Sequence, residues 1–260
     1  MTNTPHADPA ARLCAALALG VASALGHAAT PPGRPDSMIQ APTQAQADTL
    51  SARQQAIVPI AAHAAAGDMP RLAEALDQGL DAGMAVSDAR EILVQLYAYA
   101  GFPRSLNALG ELMKVTGARR QRGIQDAPGR EPSRPIPNGD ALLAAGTDNQ
   151  TRLSGAPVTG PLFDFAPVAN EYLRAHLFGD IFERDNLDWQ SREIATVSML
   201  SALQGVDSQL QSHMGISMNV GISAGQLTQL TQVLADRVGP EAATRARGAL
   251  SRQIAARAKR

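Results

Sequence analysis

The chain has 260 residues, 45% hydrophobic and 18% charged, enough to bury a sizeable core in one or two domains. A formal net charge of −1 argues against a general nucleic-acid binder. Aromatics at 3% and abundant alanine favour close-packed helices over sheets, and no stretch alternates like a strand.

At the N-terminus, Arg12 precedes the apolar run LCAALALGVASAL, and the small residues Gly26 and Ala28 follow. This predicts a signal peptide over residues 1–28, because the run is too short to span a bilayer. The expected product is a periplasmic or secreted protein with no membrane attachment after cleavage. Cys14, the only cysteine, leaves with that segment. The mature chain then has no thiol for a disulfide, a nucleophile or a redox pair. Residues 29–48, rich in Pro, Gln and Ala, read as a flexible tail.

From Arg53 to Lys114 the pattern is helical. Asp68 and Pro70 open one helix, LAEALDQGL, which Gly79 or Gly83 closes. Ser87 is placed to cap the next, through EILVQLYAYA to Gly101, and Pro103 begins a third, SLNALGELMKV. Between Thr116 and Pro161 the chain carries Gly, Pro and Arg without apolar periodicity, which predicts a linker over residues 117–160. Apolar residues resume in LFDFAPVANEYLRAHLFGDIF.

Three helices are predicted between Asp188 and Leu230. Asp188 caps the first, whose span through Ile194, Val197, Leu200 and Leu203 is nearly all apolar. Gly205 breaks it, and Asp207 suits the positive start of the second. Gly221 ends the second, and Ser223 with Gln226 forms a capping box for the third. His213 falls on the inward stripe of the second helix, between Leu210 and Ser217. Arg192 and Glu193 enter with the opening turn of the first.

The halves of the chain share a register. An offset of 138 positions relates Gly67 to Gly205, Gly83 to Gly221, Gly101 to Gly239, Leu72 to Leu210 and Leu96 to Leu234. The physical reading is a duplicated helical unit whose copies bury their faces against each other or against another subunit. The copies differ in polar residues. His213 stands opposite Ala75 and Glu193 opposite Gln55, whereas Glu91 stands opposite Gln229, and YAYAGFPRSLN has no counterpart near Gly239.

The Asp188–Leu230 arrangement resembles the core of the carboxymuconolactone decarboxylase family, within the alkylhydroperoxidase D-like superfamily. EILVQLYAYAGFPRSLNAL resembles that family's C-terminal signature. The implied fold is all-α, a duplicated alkylhydroperoxidase D-like helical domain with copies over residues 49–116 and 161–260. Single-domain members resemble a sum of features that this chain divides between its halves. The peroxidase-type branch places a C-x-x-C pair between its glutamate and histidine, and here that interval contains no cysteine.

The decarboxylase branch needs neither thiol nor cofactor. Its reaction takes a carboxylated unsaturated γ-lactone, releases CO2 and reprotonates the carbon framework, so the site must stabilise an oxyanion and deliver a proton. The resemblance implies that His213 transfers the proton or stabilises the oxyanion, that Glu193 orients it, and that Glu91 is a second acid/base group. It implies Arg192 or Arg104 as the carboxylate binder, with Tyr99 lining the substrate or packing. The expected partners are a small-molecule carboxylate or lactone and further copies of the chain, since family members form rings. No His/Asp/Glu spacing suggests a metal. Beside the cofactor-free lyase stands a second reading, a catalytically inactive binding or scaffold protein that kept the fold.

Overall fold

Two helices, apolar or buried nearly all round, form the centre of the molecule: α1 (Ala52–Ala66) and α9 (Trp189–Ala202). A computed structural model describes residues 48–259; the expected signal peptide, Cys14 and nearly all of the expected tail lie outside the described residues. Residues Ala56–Ala65 of α1 and Ser191–Ser201 of α9 are continuously buried. A helix with no polar face has to be covered on every side, and these two pack along one another in one shared core. The buried serines of α9 stay satisfied by bonding back one turn, Ser198 to the Ile194 carbonyl and Ser201 to that of Val197. A capping box of Ser51 and Gln54 opens α1, and Asp188 accepts from the Ser191 amide to open α9.

Around α1 lie α2 (Met69–Asp81), α3 (Val86–Gln95) and α4 (Tyr97–Gln121). Asp68 caps α2 as the sequence predicts. Gly79 does not end it. It is buried inside the helix, where a Cβ would come within 2.9 Å of Ile60 Cδ1, and the turn falls at Gly83 instead. Nor does Ser87 cap α3. The returning chain supplies backbone acceptors, Ala127 O to the Val86 amide and Pro128 O to that of Ser87, so Ser87 Oγ is left to accept from the Arg130 amide. The break expected before Pro103 is a kink inside α4 at Gly101. Arg119, buried near the end of α4, holds Asp77 and Asp81 of α2 together with Asp126.

The stretch expected as a linker carries structure. α4 runs on to Gln121, and residues Gly139–Ser154 form α5. The buried stripe of α5 is Gly146, Asn149, Gln150 and Leu153, at helical spacing but mostly polar, so hydrophobic periodicity could not reveal it. Its partner is a π-helical segment, α8 (Leu173–Ile181), which follows the short α6 (Pro161–Phe165) and α7 (Pro167–Tyr172). The approach is close: a Cβ on Gly146 would sit 1.9 Å from the Arg174 carbonyl oxygen. Asn149 donates to the Phe178 carbonyl and to Glu183 Oε1, crossing the same contact.

The chain closes with α10 (Asp207–Asn219), α11 (Ala224–Arg237) and α12 (Pro240–Arg257). Both bounds of α2 reappear 138 residues later as those of α10, and the starts of α3 and α11 bear the same relation. The glycines at the ends of α1 and α9, Gly67 and Gly205, share a left-handed backbone with φ of 75° and 77°, which side chains resist. Among the described residues the secondary structure is all-α, with no strand. No helix there is long and apolar enough to cross a membrane.

Candidate functional site

The polar side chains buried between the two halves form one connected network. On α9, Arg192 and Glu193 are consecutive and so leave the helix in different directions, and both are wholly buried. Glu193 points to α10, where its Oε2 lies 2.8 Å from His213 Nδ1. Its other oxygen, Oε1, is buried without a partner. The imidazole is thus fixed through one nitrogen. The other, Nε2, has no hydrogen-bond partner among the described residues and is not sealed from solvent. A carboxylate accepting from Nδ1–H leaves the Nε2 lone pair free in the neutral ring, the arrangement for proton exchange there. The ring edge also meets Tyr99 of α4, centroid to centroid 5.7 Å.

Tyr99 connects this pair to the first half. Its hydroxyl lies 3.2 Å from Thr196 Oγ1, and Gln95 Nε2 donates to the same Thr196 oxygen at 2.7 Å. Burial, and then the charge of Glu193, raise the Tyr99 pKa well above the usual phenol value. At neutral pH it is a protonated donor.

Arg192 points the other way, toward α3. Its guanidinium donates to Gln95 Oε1 at 3.2 Å, Glu91 Oε2 at 3.2 Å and the Arg184 carbonyl at 2.8 Å. Arg184 closes on the same carboxylate with two bonds, at 2.8 and 2.7 Å. Burial alone would raise the Glu91 pKa. The Arg184 and Asn186 hydrogen bonds and both positive charges overcome it, holding Glu91 at about 2. Burial pulls Arg192 below the ordinary arginine value, against the Glu91 charge. Among the described residues both oxygens of Glu91 are thus paired, whereas Glu193 Oε1 and Arg192 Nε are buried without a partner.

Of the residues singled out in the sequence, Glu193, His213, Tyr99, Arg192 and Glu91 are brought into this single network. Glu91 is locked as an ion-pair acceptor, and Arg192 spends its forked donors on the protein. Among the described residues no hydrogen bond joins Arg104 to the network; its guanidinium lies against Gly67 at the end of α1, where a Cβ would meet Nη1 at 1.8 Å. Sequence reasoning missed Gln95, Thr196 and Arg184. The first two had a signal, since Glu91 with Gln95 and Arg192 with Thr196 are both four apart, which sets two polar pairs on facing helices. Arg184 sits in the turn after α8 and had none.

A cavity of about 480 Å³ has Arg184 and Trp189 on its wall. A larger one, about 730 Å³, lies between α11 and α12 near Leu250 and Ile254. Among the described residues no cluster of His, Cys, Asp and Glu has the makings of a metal site.

Residues 167–252 match the carboxymuconolactone decarboxylase family. The match covers about a third of the chain and includes Arg184, Arg192, Glu193 and His213, whereas Glu91, Tyr99 and Arg104 precede it. No curated protein matches the chain. The segment that matches this family is thus the part that carries the Glu193–His213 pair, on the two helices α9 and α10.

Proposed function

We propose that the chain is a cofactor-free lyase in which Glu193 and His213 perform acid–base chemistry on a small carboxylated lactone or a related acid. The observation that carries this reading is the 2.8 Å hydrogen bond between His213 Nδ1 and the buried Glu193 carboxyl group, with Nε2 unpartnered among the described residues. A buried carboxyl group with one unpaired oxygen is costly, and a purely structural role is served more cheaply by apolar packing.

In the proposed reaction the Nε2 lone pair first takes a proton from solvent, and the resulting imidazolium attracts the substrate carboxylate. The C–CO2 bond breaks, its electron pair passes into the conjugated lactone, and the Tyr99 hydroxyl donates to the oxyanion that develops. His213 Nε2 then gives its proton to the carbon framework while Glu193 holds the ring. A thiol mechanism is disfavoured because Cys14 is the only cysteine in the sequence and a C-x-x-C pair needs two. The common register of the helix bounds supports a tandem duplication, in which the second half keeps the dyad and the first contributes Tyr99 and the Glu91–Gln95 face.

One observation favours the second reading, a scaffold without activity: Glu91 and Arg192 are consumed by one another. The experiment that decides is release of CO2 from a panel of carboxylated unsaturated γ-lactones, followed by their ultraviolet absorbance. His213→Ala and Glu193→Gln should each lower kcat/KM by on the order of 10²–10⁴, with the double variant scarcely worse than either. Turnover unchanged in both variants would remove the dyad from the chemistry. No turnover by the unaltered chain, with both variants melting lower, would favour the scaffold.

A further inference from the structure

Two apolar surfaces are left largely uncovered among the described residues. The first is a stripe on α4, where Phe102, Leu106 and Met113 are each more than half exposed and follow helical spacing. Gly110 and Gly117 continue it, with open space beyond the positions of their missing Cβ atoms. The second is the arm made by α6 and α7, which buries none of its residues. It exposes Leu162, Phe165, Val168 and Tyr172, with Phe165 88% exposed.

We infer that the arm of one copy docks on the α4 stripe of a second copy, forming a reciprocal dimer. Charge and area decide between pairings. The charged residues of the arm are Asp164 and Glu171, both exposed and without an ion pair among the described residues. Beside the stripe, α4 exposes Arg120, and also Lys114, which pairs with Glu111 of the same helix at 3.0 Å. Opposite signs favour arm on stripe, whereas stripe on stripe sets like charges together. From their fractional exposures these side chains present at most about 400 Å² on the stripe and about 550 Å² on the arm, so a reciprocal pair can remove up to about 1,900 Å², within the range of stable interfaces. Stripe on stripe would remove about 800 Å² in all, the scale of adventitious contacts. The stripe begins three residues after Tyr99, and Phe102 stacks on Tyr97 at 4.5 Å. A second copy seated there would border the Glu193–His213 region, although the inference stands without any activity of that site.

Sedimentation velocity on the full chain at micromolar concentration tests this. The expected result is a dimer that Leu106→Glu and Phe165→Glu each weaken at least tenfold, with melting curves unchanged because both positions are exposed. Asp164→Lys with Glu171→Lys should also weaken it, and adding Lys114→Glu with Arg120→Glu to the same chain should restore it. A monomer throughout, an assembly indifferent to both glutamate variants, or a charge reversal that the compensating pair fails to rescue would overturn the pairing.

Discussion

Replacing Glu91 by Gln keeps the shape of the side chain and removes its charge from between Arg184 and Arg192. In the native protein the carboxylate is 1% exposed and its pKa falls from 4.5 to about 2. A carboxylate whose pKa is lowered by folding contributes stability that is complete above the unfolded value and is lost as pH falls toward the folded one. The shift corresponds to about 3 kcal/mol at neutral pH, of which about 2 kcal/mol is gone by pH 3. Removing one partner of a buried pair costs a similar amount, ~3–5 kcal/mol, because Arg192 stays buried with its charge uncompensated. The expected outcome in urea denaturation is a Glu91→Gln variant about 3 kcal/mol less stable than the native chain at pH 7. That gap should narrow by about 2 kcal/mol at pH 3, where the native chain has itself lost most of the pair. Equal stabilities at pH 7 would show that the two arginines do not depend on this carboxylate. A gap that stayed constant down to pH 3 would show that Glu91 is not held near 2, and it would return to consideration as a proton-transferring acid.

Gly146→Ala should destabilise the fold by about 1–3 kcal/mol, since its Cβ would meet the Arg174 carbonyl and the α8 backbone cannot yield as a side chain could. A thermal melt equal to that of the native chain would contradict the close α5–α8 contact. Hydroperoxide turnover with a dithiol reductant should not exceed that of a heat-killed control, and Cys14→Ser should change nothing; reductant-coupled turnover would reopen the thiol reading.

The sequence by itself determined the elements whose signals are local. Asp188, Asp68 and the Ser223–Gln226 box cap helices as side chains of their kind do anywhere, because a capping bond needs only three or four residues of chain. Gly221 turns the chain just past α10 for the same reason, whereas α9 is already capped at Leu203, two residues before Gly205, and the 138-residue register follows from such short-range marks. Where a distant segment intervened, local rules lost. The carbonyls of Ala127 and Pro128 replaced Ser87 as the cap of α3, and α5 buried a polar stripe that no apolar period announced. The site divides along the same line. Glu193 and His213 could be placed on neighbouring helices from spacing and family resemblance, but their 2.8 Å bond depends on how α9 and α10 cross. Whether Glu91 could act as an acid was beyond the sequence altogether. Its protonation is set by Arg184 and Arg192, 93 and 101 residues away, and only folding brings those charges to within 3.2 Å of it.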